Sequence, residues 1–125
     1  MQQAKIFAHA YQLSMLIFER TRTFPKYHRP TLGRRLEDAS LDLAIFIRYA
    51  LMTSNKMRTK RAAYLAQASE RLDEIRIVAQ ISHDLNLMKP AAYNDLCELS
   101  SSVGKEIGGL LKFENKHTET LAAGQ

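Results

Sequence analysis

Apolar residues recur every three or four positions in four long segments of the chain, and this spacing predicts four amphipathic helices. The segments cover about Gln3–Arg22, Thr31–Met52, Met57–Leu87 and Pro90–Phe113. Each stripe is predicted to face a common core: Ile6, Ala10, Leu13 and Ile17; then Leu32, Leu36, Ala39, Leu43, Phe46 and Ala50; then Leu65, Ala68, Leu72, Ile75, Ala79 and Ser82; and last Tyr93, Leu96, Ser100, Val103, Ile107 and Leu110.

Turn-forming residues separate these segments. The first helix is predicted to stop at Phe24, because a following proline disfavours the helical conformation. Thr31 is predicted to cap the N-terminus of the second helix. The polar run 53–55 is typical of a turn, and Pro90 suits the first turn of the last helix.

The fold class that follows is all-α. Four helices joined by short connections predict an antiparallel, up-down-up-down four-helix bundle. A single domain is expected over residues 1–113. Residues 114–125 lack apolar periodicity and are predicted to form a disordered tail.

Two features within the helices suggest contacts beyond a simple core. Leu41, Ile45, Tyr49 and Met52 form a second apolar flank on the second helix. This flank indicates either contact with another subunit or a wide core-facing stripe. The last helix contains three interior glycines, Gly104, Gly108 and Gly109, which favour close helix packing over direct contact with a ligand.

Composition and charge add the first indication of function. The sole cysteine, Cys97, is predicted to be a small core residue, and nothing at the start resembles a signal peptide, so a cytoplasmic location is expected. The run 41–52 is too short to span a bilayer, and no membrane partner is predicted. The net charge is +5, and eleven of the eighteen Lys and Arg residues lie between Arg20 and Arg61 against only three acids. This segregation favours an anionic partner.

Catalytic chemistry is poorly represented. The four histidines are scattered, and the cysteine has no partners at metal-ligand spacing, so neither a metal nor a cofactor is predicted. Arg22–His28 and Arg76–His83 match the loose Arg-x4-6-His pattern of HEPN-type helical ribonucleases. The first pair straddles Pro25, and the second lacks the polar residue that usually follows the arginine. The predicted protein is therefore not an enzyme, with this ribonuclease class as the less favoured alternative.

Three stretches carry a family resemblance, in this order along the chain: "FPKYHRPTLGRRLEDASLDLAIFIRYAL", "ERLDEIRIVAQISHDLNLM" and "VGKEIGGLLK". They resemble the four-helix-bundle family that contains the accessory variability determinant (Avd) proteins of diversity-generating retroelements and the S23-type proteins of 23S rRNA intervening sequences. The resemblance covers about Tyr11 to Lys112. Gln80 and Leu110 depart from it, where relatives often have a basic residue and a tryptophan.

The resemblance implies a non-enzymatic, basic accessory protein that binds nucleic acid and a reverse transcriptase during mutagenic retrohoming. It also implies a ring-like homo-oligomer, a pentamer in the Avd branch, with template-repeat RNA or DNA as ligand and a bacterial or phage origin. The alternative is an S23-type protein with an RNA-binding or unknown role. The high Arg and Lys content favours the Avd branch.

The candidate nucleic-acid contacts form two basic clusters, which an up-down bundle places at opposite ends. The first connection carries Arg20, Arg22, Lys26, His28, Arg29, Arg34 and Arg35, and the second carries Lys56, Arg58, Lys60 and Arg61. Phosphate contacts by such residues carry little sequence information and weaken with salt. Tyr27 either stacks on a base or caps the core. Arg76 is the candidate polymerase contact, by resemblance.

Overall fold

The computed structural model describes the backbone of residues 2–123 and the side chains of residues 5–117. Within that part of the chain there are four α-helices and no β-strand. The helices are α1 (Gln2–Thr21), α2 (Arg34–Met52), α3 (Arg58–Asp84) and α4 (Pro90–Ala123). The predicted all-α class is confirmed. None of the described helices combines the length and hydrophobicity needed to cross a membrane.

Side-chain contacts establish the direction of each helix. Thr21, at the end of α1, bonds Glu37 near the start of α2. Asp42 of α2 lies 3.9 Å from Arg71 of α3, and His83 near the end of α3 stacks on Tyr93 near the start of α4. Each helix contacts its successor, and α1 also contacts α4. Neighbouring helices are therefore antiparallel, and the first and third connections lie at the same end.

The core is built from the predicted stripes. Every predicted position of α1 and α3 is buried, as are Leu36, Leu43 and Ala50 of α2. Leu32, Phe46, Tyr93 and Leu110 are partly buried and pack against the core. The pattern missed Ile47, which is 0% exposed. Its position, four residues after Leu43, is on the same helical face.

The N-cap predicted at Thr31 is wrong. Residues Arg29–Gly33 form a π-helical turn that leads directly into α2, and the Gly33 N–H donates to the His28 carbonyl at 3.1 Å. Pro30 has no N–H to donate and fits the first turn. The Thr31 hydroxyl donates to the His28 carbonyl (3.4 Å) instead of accepting from a backbone N–H.

The end of the last helix was also predicted wrongly. α4 continues to Ala123 instead of ending near Phe113. Glu114, the first residue of the predicted tail, is 1% exposed and lies against two arginines of α3. An ion pair replaces the apolar contacts that the sequence pattern was searched for. Gly124 and Gln125 lie outside the described residues.

The turn between α3 and α4 depends on one unusual backbone conformation. Asn86 has a φ of 62°, in the left-handed region that asparagine tolerates better than most residues. The Leu87 N–H then donates to the Ser82 carbonyl at 2.9 Å. This is the bonding of a helix C-terminal cap, and it ends α3 so that Met88 enters the core.

Candidate nucleic-acid interface

The crossover, defined as residues 22–33 between α1 and α2, is anchored by one aromatic side chain. Phe24 is 1% exposed and belongs to the hydrophobic core. Its N–H donates to the Thr21 carbonyl (3.0 Å), and the next turn is closed by His28 N–H to the Pro25 carbonyl (2.8 Å). Phe24 therefore fixes the crossover to the bundle, while its neighbours on either side are exposed.

Arg29 ties the crossover together from within. Its Nε donates to the Phe24 carbonyl and its Nη2 to the Arg22 carbonyl, both at 3.0 Å. These bonds satisfy carbonyl groups that have left α1 and have no helical partner. Arg29 thus has a structural role that the sequence did not predict, since only the folded crossover brings these carbonyls to its guanidinium.

Three other basic residues of this end are paired with acids at the surface. Arg20 lies 3.0 Å from Glu19, Arg34 lies 3.8 Å from Asp38, and Arg35 lies 3.1 Å from Glu74 of α3. Exposed pairs of this kind are weak and are easily exchanged for another anion. They lower the charge of this end without removing it.

Arg22 and Lys26 differ from these three. Both are exposed, and neither has an acidic partner among the residues that the structure describes. Arg22 also lines a cavity of about 410 Å³ with Arg29 and Glu37. Because the Glu37 carboxylate already accepts a bond from Thr21 (2.5 Å), the positive groups of this end that remain uncompensated are those of Arg22 and Lys26.

Tyr27 and His28 form an aromatic pair on the crossover. Their rings meet edge to face with centroids 5.1 Å apart, and Tyr27 is 83% exposed. The alternative in which Tyr27 caps the core is wrong, because Phe24 already occupies that position. An exposed aromatic ring beside free cationic groups is a suitable surface for stacking a base.

The second basic cluster is divided by the fold. Lys56 and Lys60 are exposed and have no acidic partner among the described side chains. Arg58 and Arg61 instead turn toward α4, where their guanidinium groups lie 3.1 and 3.0 Å from the Glu114 carboxylate. Arg61 also donates to the Thr53 carbonyl. Two of the four predicted phosphate contacts are therefore engaged in joining α3 to α4.

Arg76 lies in the groove between α3 and α4, over a glycine. Its Nη2 donates to the Ser100 carbonyl at 3.2 Å, and its Nη1 lies 3.6 Å from Asp73. A Cβ placed on Gly104 would stand 2.6 Å from that Nη2. Gly104 is thus explained by close packing, but against an arginine side chain and not against another backbone. The side chain of Arg76 remains 46% exposed.

Replacing Gly104 with alanine tests this arrangement. The new methyl group displaces the Arg76 guanidinium, so the gain in helix propensity of about 1 kcal/mol is offset by a lost hydrogen bond of about 1 kcal/mol. We expect Gly104→Ala to leave the free energy of unfolding nearly unchanged in the parent chain. In an Arg76→Ala background it should raise it by about 1 kcal/mol. Urea unfolding of the four proteins measures this, and equal effects in both backgrounds would contradict the contact.

The two Arg–His pairs of the ribonuclease alternative are not brought into contact with each other. His28 packs on Tyr27, while Arg22 has no side-chain partner among the described residues. His83 stacks on Tyr93 with ring centroids 4.3 Å apart, and Arg76 bonds Ser100. Within the described part of the chain, no group of three His, Cys, Asp or Glu side chains could hold a metal ion.

The prediction for Cys97 is wrong, because this residue is exposed. It lies one turn after Tyr93 on α4, and the two side chains form a hydrogen bond. That bond, together with burial of the ring and the nearby Cys97 and Asp84 groups, raises the pKa of Tyr93 above its ordinary 10.0. Position 97 falls beside the buried stripe and not within it, which the apolar pattern alone did not separate.

The exposed apolar flank of α2 is larger in three dimensions than in the sequence. Leu41 and Ile45 are 43% and 44% exposed, and Tyr11 and Met15 of α1 are 56% and 57% exposed. The Ser14 and Ser40 hydroxyls, 3.2 Å apart, place these two pairs at the same level of adjacent helices. We call these four residues the α1–α2 patch. The contribution of α1 was missed, although Tyr11 and Met15 have the four-residue spacing of one helical face.

Comparison of the chain with protein-family models gives no match, and comparison with curated proteins gives no significant similarity.

Proposed function

We propose that this chain is a non-enzymatic accessory protein that binds nucleic acid through the crossover and associates with a reverse transcriptase, as the Avd proteins that it resembles do. The observation that carries the proposal is the state of Arg22 and Lys26. Both are exposed and unpaired among the described residues, on a segment that Phe24 and Arg29 hold in one conformation. A cationic segment that is already ordered loses less conformational entropy when it binds a phosphate backbone.

The geometry favours phosphate recognition over base recognition. The basic groups of the crossover are spread over a bundle end, and the sole exposed aromatic ring of the crossover is that of Tyr27. Arg20, Arg34 and Arg35 can exchange their surface carboxylates for phosphates, since exposed ion pairs contribute little. Binding through this end is therefore expected to depend on salt and to discriminate little among sequences.

The test is a salt titration of single-stranded RNA binding. We expect the double variant Arg22→Ala/Lys26→Ala to flatten the plot of log affinity against log salt concentration by about two units of slope, because each lost phosphate contact removes roughly one. Fluorescence anisotropy between low and moderate salt measures both slopes.

The matched control is Lys5→Ala/Lys112→Ala, which removes two exposed lysines at the other end of the bundle. It should leave the slope within about half a unit of the parent value. An equal loss of slope in both double variants would mean that binding follows net charge alone and would refute the crossover as the site.

The reverse transcriptase contact is proposed at Arg76. Its guanidinium is held by Ser100 and Asp73 but is still 46% exposed, and a planar, partly desolvated arginine is a frequent anchor at protein interfaces. Co-purification with the polymerase encoded beside this gene tests the assignment. Arg76→Ala should reduce recovery of the polymerase, whereas the crossover variant should reduce recovery of RNA.

We further propose that the α1–α2 patch is the contact between subunits of a ring. Four large apolar side chains on adjacent helices form an exposed surface that burial against another copy would remove from water. Introducing charge with Leu41→Lys/Ile45→Lys is expected to weaken self-association by about a hundredfold or more. Light scattering on nuclease-treated protein should then give a monomer mass. Ile77→Lys, at a site 60% exposed on α3, should keep the parent mass; a monomeric parent would refute the ring.

A further inference from the structure

A cavity of about 720 Å³ opens at the end of the bundle opposite the crossover. All four helices contribute to its wall. Its apolar lining comes from α2, α3 and α4, chiefly from Leu51, Leu65, Leu110 and Phe113. The volume lies within the range of sites that enclose a small organic ligand.

The charged groups of this cavity divide into engaged and unengaged ones. Arg58 and Arg61 are paired with Glu114, and the carboxylate of Glu106 accepts a bond from His9 Nδ1 at 2.7 Å. Lys5 and Lys105 also line the cavity, are exposed, and have no acidic partner among the described residues. The mouth of an otherwise balanced and largely apolar cavity therefore carries two free positive charges.

Gly109 gives an independent reason to regard the cavity as a site. It is an interior residue of α4, where glycine is less stable than alanine by about 1 kcal/mol. A Cβ at this position would meet no atom within 4 Å, so packing within the described chain does not require a glycine. Gly109 lines the cavity, and any larger side chain there would enter the space that a ligand would use.

We propose that this cavity binds an amphiphilic carboxylate, whose apolar chain lies between Leu51, Leu65, Leu110 and Phe113 and whose carboxylate meets Lys5 and Lys105. A long apolar chain suits the lining, and a single negative charge suits the two free lysines. A nucleotide fits less well, because Glu106 and Glu114 also face this space and would repel several phosphate oxygens. The inference is independent of the proposed function, since none of the crossover residues or Arg76 lines the cavity.

Octanoate is the probe, and calorimetric titration of nuclease-treated protein is the measurement. The parent chain should bind octanoate saturably, and it should bind octylammonium, which has the same chain length and the opposite charge, roughly tenfold more weakly. Gly109→Leu fills the cavity and should weaken octanoate binding by about tenfold or more. Lys105→Glu should weaken octanoate binding and strengthen octylammonium binding.

Gly108→Leu is the matched control, because Gly108 is the adjacent exposed glycine and does not line the cavity. It makes the same chemical change on the same helix and should leave octanoate affinity within about twofold of the parent value. Absence of octanoate binding by the parent chain overturns the proposal, as does an equal effect of the two leucine variants. Equal affinity for octanoate and octylammonium overturns the assignment of the lysines, and binding of adenosine monophosphate in place of octanoate overturns the ligand class.

Discussion

Replacing Phe24 with alanine is expected to lower the free energy of unfolding by about 4 kcal/mol. Phe24 is 1% exposed and lies in the core beside Gly33 of the π-helical turn, where a Cβ on the glycine would be 3.6 Å from its ring. Removing the ring leaves a cavity that the neighbouring helices cannot fill, because backbone hydrogen bonds fix the crossover on both sides. Urea denaturation followed by circular dichroism measures the loss.

The same substitution bears on function, because Phe24 holds the crossover in place. If the crossover is the binding site, Phe24→Ala should also weaken RNA binding under conditions in which the protein stays folded, since the segment must then be ordered on binding. Tyr27→Ala is the control in the same segment; Tyr27 is 83% exposed, and its loss should change stability by no more than about 0.5 kcal/mol. Similar destabilisation by the two variants would contradict the anchoring role of Phe24.

Replacing Glu114 with glutamine is expected to lower the free energy of unfolding by about 3 kcal/mol. The carboxylate is 1% exposed and accepts bonds from Arg58 and Arg61, whose side chains are only 21% and 13% exposed. An amide keeps the shape but leaves two partly buried guanidinium groups without a counter-charge. Thermal and urea unfolding both measure the effect.

Glu98→Gln is the control for Glu114→Gln, because Glu98 is an exposed residue of the same helix with no ion-pair partner among the described residues. It should lie within about 0.5 kcal/mol of the parent chain. A similarly small effect at Glu114 would show that the two arginines find other partners, and it would restore them as candidates for phosphate binding.

Much of the fold was predictable because its cause is local. The stripe of Ile6, Ala10, Leu13 and Ile17 follows from the 3.6-residue period of a helix, and all four residues are buried. The break at Pro25 follows from the steric restriction that proline imposes on its neighbour. Thr31 failed as an N-cap because Pro30 and the π-helical turn bring the preceding residues into helical conformation.

The candidate site was less predictable, because the composition of a basic segment does not identify the partner of each charge. Arg22 and Arg29 are equivalent in sequence, yet one is free among the described residues and the other binds two carbonyls. Arg58 and Arg61 were predicted to face a ligand, but they meet a glutamate more than fifty residues away along the chain. The sequence shows how many charges there are, whereas their distances depend on the packing of α3 against α4.

The sequence by itself determined the four helices, their buried stripes and the concentration of positive charge on the first connection, because helical periodicity and proline chemistry act over a few residues. Only the tertiary structure decided that Gly104 accommodates Arg76, that Glu114 holds two arginines, and that Tyr11 and Met15 extend the apolar flank of α2. Each of these depends on side chains from different helices meeting in space, and the energy of such contacts varies steeply with distance and burial.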